Sequence, residues 1–288
     1  MVEVESNDVL AMRDSAYSEI LDEINEKRQK PSAALLFGVG FGVLGLLAVA
    51  VAGSIGMFIW PLAVAAWAFG AWLDSYQRTV VLFYDLEGDT HAAYEQVVHS
   101  FDRMNASQGK WHIEAGGSVQ DLTTWKRNAG ASHIVKRTST TLAYSLPKAV
   151  TCNVTPPSIH VGKQVIYFLP DVAFIDDGRK IGGVSYADLM VQWQPSNFIE
   201  EGAVPGDCEI ISWTWKHPNK NGGPDRRFRD NRQLPVCRYE AMHMRSASGV
   251  NELIEFSKAG VVAPFAAALK AMPKRAKQQS PLQIRASD

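Results

Sequence analysis

The stretch WKHPNKNGGPDRRFRDNRQLPVCR, residues 215–238, gathers side chains suited to holding phosphate. From Lys216 to Arg238 it carries seven basic residues against two acidic ones, Asp225 and Asp230. Arg226, Arg227, Arg229 and Arg232 offer planar forks that match phosphate oxygens two at a time. Lys216 and Lys220 add point charges, and the turn of Asn219, Asn221, Gly222, Gly223 and Pro224 presents neutral donors. Trp213, Trp215 and Phe228 are close enough in sequence to supply stacking faces. Basic groups interleaved with aromatics suit a single strand or a nucleotide better than a duplex. WKRNAG at 125–130 supplies Lys126, Arg127 and Asn128 as a second basic wall, with Arg137 shortly after. The competing reading is a solvated hairpin whose arginines pair with Glu200, Glu201 and Asp207. Trp213 and Trp215, on one side of a strand, are then core residues.

Other chemistry finds little support. Asp171 follows Pro170, and Asp176 and Asp177 come after, as in a PD-(D/E)xK nuclease, but the acid-x-Lys spacing is absent. The run DDG reads better as a hairpin turn. The histidines form no HExxH or close pair, and neither GxxxxGK[ST] nor GxSxG occurs. Cys152, Cys208 and Cys237 have no CxxC or zinc spacing and read as inert thiols in a reducing compartment. The expectation is binding without catalysis, with no catalytic residue, metal or cofactor.

The elements that position this loop begin at a membrane. From Ser32 to Leu73 no residue is charged, a run about twice the roughly 20 residues that one span needs. A break at GSIG predicts two spans over 33–52 and 57–74 joined by a very tight turn. The run starts too late and is too long for a secretory signal. Lys27, Arg28 and Lys30 precede it and Arg78 follows, so the positive-inside rule puts both termini in the cytoplasm. Gly38, Gly42 and Gly45 allow close helix packing, within the hairpin or between copies in a homo-oligomer. Residues 1–31 read as an amphipathic helix, with Leu10, Tyr17, Leu21 and Ile24 near heptad spacing.

Beyond the spans the chain is basic, with 25 bases against 21 acids over residues 77–288. Residues 77–148 read as a small α/β segment: a strand in RTVVLFYDL, a helix in DTHAAYEQVVHSFDRMNAS with Tyr94, Val97, Val98, Phe101 and Met104 on one face, then a strand in GKWHIEA. DLTTWKRNAGASHIVKRTS reads as a polar connection. From 149 to 272 short strands predominate, and NELIEFSKAGVVAPFAAALKAM closes the domain as an amphipathic helix. Residues 273–288 form a basic flexible tail. The fold class is thus a membrane α-helical hairpin plus a cytoplasmic α+β or β-barrel domain.

The hairpin YFLPDVAFIDDGRKIGGVSYADL, with a helix after the last strand, resembles the pleckstrin-homology-like barrel of small bacterial membrane proteins. SLPKAVTCNVTPP, VSYADL and SASGVNELIEFS are similar to an uncharacterised bacterial membrane-protein family over most of 110–260, a likeness that implies no chemistry. Two spans followed by a cytoplasmic barrel resemble membrane effectors of antiphage nucleotide-signalling systems, of the Hailong or CBASS type. That likeness implies a sensor in the bacterial inner membrane whose nucleotide or oligonucleotide ligand controls an oligomeric pore or membrane disruption. Anionic lipid, favoured by the tail KAMPKRAK, is the rival ligand, and a lipid- or protein-binding adaptor the rival function.

Overall fold

The computed structural model describes residues 2–14, 17–118, 128–129, 131 and 133–272. In chain order the elements begin with β1 (Val2–Glu3), α1 (Ser18–Gln29), α2 (Ala33–Ala52), α3 (Ile59–Gln77), β2 (Val80–Leu82) and α4 (Gly88–Asn105). There follow β3 (Lys110–Ser118), β4 (His133–Ser139), β5 (Leu142–Tyr144), β6 (Val150–Cys152), β7 (Pro157–Val161), β8 (Gln164–Phe168) and β9 (Val172–Asp176). The last are β10 (Ile181–Ser185), β11 (Met190–Ile199), β12 (Glu209–Trp215), β13 (Gln233–Arg245), β14 (Asn251–Phe256) and α5 (Val262–Ala271). The chain divides into two units, one within Ala16–Phe83 and Leu146–Asn153, the other taking the rest.

The first unit holds two helices, α2 and α3, long and apolar enough to cross a membrane. They are joined by a 3-10 turn at Gly53–Phe58 rather than by a minimal turn. Side chains pair in antiparallel order: Gly38 seats Trp67 at 3.0 Å and Gly45 seats Trp60 at 3.5 Å. Nothing lies within 4 Å of a Cβ built on Gly42, so the expected glycine face splits. At 3.6 residues per turn Gly45 returns to within about 20° of Gly38, whereas Gly42 lies about 40° to the other side. Gly70 of α3 lies directly against the backbone of α2: a Cβ there would stand 2.6 Å from the Cα of Ala34. Asp74, the one acid here, accepts from Ser32 Oγ at 2.5 Å and from the amides of Ala33 and Ala34 at 2.8 and 3.1 Å. It thereby caps α2 and ties the open end of the hairpin. Gly70→Val should force the helices apart and cost about 1–3 kcal/mol, read as earlier unfolding in SDS titration. Gly42→Ala should change little, and equal behaviour of the two variants would refute this packing.

Within the same unit β2 pairs in parallel with β6. Helix α1 buries Leu21 and Ile24, and Lys27 Nζ donates to the Thr79 carbonyl at 3.1 Å. The expected single N-terminal helix is a correction: helix begins only at Ser18. Residues 2–14 instead form a strap on the other unit, because Val9 and Met12 enter its core while Leu10 stays 38 % exposed. β1 pairs with β3, the Asn7 amide donates to the Gly249 carbonyl, and the Gly183 amide donates to the Met12 carbonyl.

The second unit is strand-rich. Its larger sheet has seven strands in a curled half-barrel, ordered β1-β3-β14-β13-β11, with β4 on β3 and β12 on β13. A five-stranded sheet runs β10-β9-β8-β7-β5. Helices α4 and α5 pack with both, joining Tyr94, Val97, Phe101 and Phe265 to Ile166, Phe168, Met242, Met244 and Ile254 in one core. The expected face of α4 is the buried one, with Val98 packed at its edge. Strands from both sides of 148 share one sheet, since β3 and β4 lie with β13 and β14.

Two further expectations change. The stretch from Asn251 is not all helix: Asn251–Phe256 is the central strand β14, and only Val262–Ala271 is helical. Glu252 and Glu255, three apart, give the sequence a helix-like polar face, yet both are buried. Residues 133–139, expected as connection, form β4, whose alternation sends Lys136 to Glu114 and Arg137 to Glu200.

Candidate functional site

β12 and β13 are antiparallel neighbours, so residues 216–232 are a hairpin loop by topology. Polar side chains within the loop shape it. Asn219 Oδ1 accepts from the amides of Asn221 and Gly223, both at 2.9 Å, and its own amide donates to the Gly223 carbonyl. Gly222 sits at φ 81°, a conformation that favours glycine. Asn231 Nδ2 donates to the carbonyls of His217 and Asp225 at 2.8 and 3.2 Å, stitching the two arms together. Asp225 is 7 % exposed and holds Arg227 through Nε at 2.9 Å and Nη2 at 2.6 Å. The side chains that impose order are therefore the asparagines and the aspartate.

Those bonds sort the expected phosphate ligands. Arg227 is forked onto Asp225, and Lys216 reaches Asp230 at 3.1 Å, holding that carboxyl below its ordinary range. Arg232 donates to the Glu201 carbonyl at 3.0 Å. Lys220, Arg226 and Arg229 are exposed and have no protein partner among the described residues. Trp213 is 58 % exposed, so it is not a core residue. Trp215 is half-buried. Phe228 is 43 % exposed and stacks on His217 at 4.2 Å between ring centroids. The tip thus combines free cations with accessible rings.

The two stretches singled out in the sequence meet. Thr214 Oγ1, between the two tryptophans, donates to the Ala129 carbonyl at 3.0 Å, which brings Asn128 to the β12 strand. Lys126 and Arg127 lie outside the described residues, as does the basic tail from 273. Arg137 does not join this surface. Its guanidinium lies between the rings of Trp111 and Phe198, at 4.2 and 3.8 Å from their centroids. Its Nη2 meets Glu200 at 2.7 and 2.9 Å, and Tyr239 donates to the same carboxylate at 2.6 Å. This cation is committed to two rings and a carboxylate, although its buried Nη1 has no hydrogen-bond partner among the described residues. Glu200 therefore pairs with Arg137 rather than with the loop, and Asp207 accepts from Ser257 Oγ and the Gln108 amide.

The remaining chemistry is structural. Asp176 Oδ1 accepts from the Gly178 amide at 2.7 Å, and Asp177 Oδ1 from the amides of Arg179 and Lys180. Both carboxylates serve the β9–β10 turn, as the DDG run suggests. His112 Nε2 meets Glu252 at 2.7 Å, and Ser6 of the strap donates to the same glutamate. The Cys237 thiol is buried and pushed up to about 12, first by burial and then by neighbouring Cys208. No cluster of three or more His, Cys, Asp or Glu among the described residues has the arrangement of a metal site.

The chain matches no family model, no curated protein and no solved structure.

Proposed function

We propose that the protein is a membrane-anchored sensor that acts by binding rather than by catalysis. Its strand-rich unit takes a nucleotide or single-stranded oligonucleotide at the β12–β13 tip. The carrying observation is that Lys220, Arg226 and Arg229 are exposed, with no partner among the described residues, on a loop that also carries exposed Phe228, follows the β12 strand of exposed Trp213 and is ordered by Asn219, Asp225 and Asn231. Preordered cations lose less freedom on meeting phosphate, and the rings accept any base face. In this reading α2 and α3 span a bacterial inner membrane with both termini cytoplasmic. The antiparallel strands closed by α5 play the part of a pleckstrin-homology-like barrel. Copies assemble through the open Gly42 side of α2, and ligand binding biases that assembly in an antiphage response.

The test is fluorescence anisotropy of labelled short single strands on the full chain in detergent across a salt series. Removing Arg226 or Arg229 should flatten the slope of log affinity against log salt by about 0.7–1 unit each. Arg227→Ala should act less, because Asp225 already neutralises that charge. Binding of phosphatidylserine vesicles but of no single strand or nucleotide at low salt would replace the ligand with lipid headgroups. Gly42→Leu, at a position with space around it in the hairpin, should lower the oligomer mass by light scattering. An unchanged mass would remove this side as the interface.

A further inference from the structure

The register of the large sheet places further groups on the face that carries Trp213. Trp213 stands opposite Pro235 on β13. Alternation along β13 puts Cys237, Tyr239, Ala241 and His243 on that same face. Opposite the last two are Gln194 and Gln192 of β11, and opposite His243 on the other side is Leu253 of β14. Here a cleft of about 480 Å³ opens, lined by Gln192, Trp193, Gln194, Ala241, His243 and Leu253. Ala241 and Leu253 contribute apolar surface to it. Trp193 borders the cleft from β11, but it pairs with the core residue Met242, so its side chain points to the opposite face of the sheet. His243 Nε2 lies 2.8 Å from Asn251 Oδ1, in hydrogen-bond contact. The carboxamides of Gln192 and Gln194 are exposed and have no partner among the described residues. None of these lining side chains is a carboxylate, lysine or arginine.

We propose that this cleft is a nucleobase-binding site, which reads a base of the strand whose phosphates the tip holds. The inference takes its ligand class from the reading above. A flat neutral heteroaromatic ring matches an uncharged cleft bordered by Ala241 and Leu253, and carboxamides pair with a base edge by donating and accepting together. The absence of charge in the lining separates this site from the phosphate-holding tip. Six to eight residues of β13 separate Pro235 from the Ala241–His243 floor, about 20–27 Å along the strand. The ligand is accordingly an extended oligonucleotide rather than a mononucleotide bridging both sites.

The experiment titrates the full chain in detergent with the four nucleosides, which offer a base and a sugar but no phosphate. Equilibrium dialysis with labelled nucleosides reports binding and supplies the affinity. Saturable binding is expected, with a preference for one base. Gln192→Ala combined with Gln194→Ala should weaken it about tenfold while leaving the salt slope of oligonucleotide binding intact. Both glutamines are exposed on an edge strand, so the variant should fold. No saturable binding of any nucleoside, or binding unaltered in the double variant, overturns the cleft even if single strands still bind the tip. Nucleosides that bind while no single strand does support the cleft and sink the tip reading instead.

Discussion

Replacing Gly182 with alanine should release the N-terminal strap from the strand-rich unit. The added Cβ would stand 2.4 Å from the Val9 carbonyl oxygen and 2.9 Å from that of Met12. Both are backbone atoms, and the Met12 carbonyl is fixed by the Gly183 amide at 2.8 Å, so neither yields cheaply. Relief requires Val9 and Met12, 1 % and 0 % exposed, to leave the core. Overpacking of this kind costs about 1–3 kcal/mol and each exposed side chain about 1.5–3 kcal/mol. Undocking, at about 3–6 kcal/mol for the two side chains, sets the ceiling, and the overpacking should remove about 1–3 kcal/mol of the strap's docking free energy. Hydrogen exchange at the Asn7, Met12 and Gly183 amides should accelerate, and trypsin should gain access to Arg13. Gly202→Ala, with open space around it, is the control. Unchanged protection in Gly182→Ala would show that the strap is held elsewhere.

The strap also shows where sequence reading reached its limit. Leu21 and Ile24 were legible because they repeat on a helix face that is in fact buried. Val9 and Met12 are three apart too, but they belong to a 3-10 turn whose partners, Gly182 and Gly183, lie far along the chain. Local periodicity carries no record of such a partner. The same limit governs β14: a strand flanked by β13 and β3 can bury Glu252 and Glu255 only because His112 and Arg137 stand beside them. Read locally, the two acids mark a solvated helix face. The apolar hairpin, by contrast, is determined by composition over a length that no soluble element needs, and its helix ends fall close to expectation.

At the tip, residue type was informative and pairing was not. The excess of basic residues is visible in the sequence, but which cations remain free depends on Asp225, Asp230 and the Glu201 carbonyl, which take Arg227, Lys216 and Arg232. Asp225 two residues before Arg227 was the one local hint. Gln192 and Gln194 gave a clean period-2 signal, but nothing local joins them to His243, which lies some fifty residues on and faces Gln192 only through the β11–β13 register.

The Arg137 cluster yields the second large effect. Removing its charge strands a carboxylate that is 5 % exposed, Glu200, after three groups have been arranged around the pair: Trp111, Phe198 and Tyr239. Breaking one side of a buried ion pair costs about 3–5 kcal/mol, since the remaining charge keeps its desolvation penalty. Arg137→Met, which keeps a long stem between the rings, should therefore destabilise the protein by about that amount at pH 7.5. Glu255 adds a pH dependence. Burial raises its carboxyl above the ordinary value of 4.5, opposed by Arg137 among others. A carboxyl raised in the folded state contributes stability below its ordinary value and loses it as pH climbs through the raised one. Without Arg137 the opposing charge is gone and the rise is larger, so the cost of Arg137→Met should shrink between pH 7.5 and pH 5. Denaturant unfolding of the full chain in detergent at the two pH values measures this. Adding Glu200→Gln should restore much of the loss, because the stranded charge disappears with its partner. A cost that is equal at both pH values and is not relieved by Glu200→Gln would mean that Arg137 stabilises the sheet by ring packing alone.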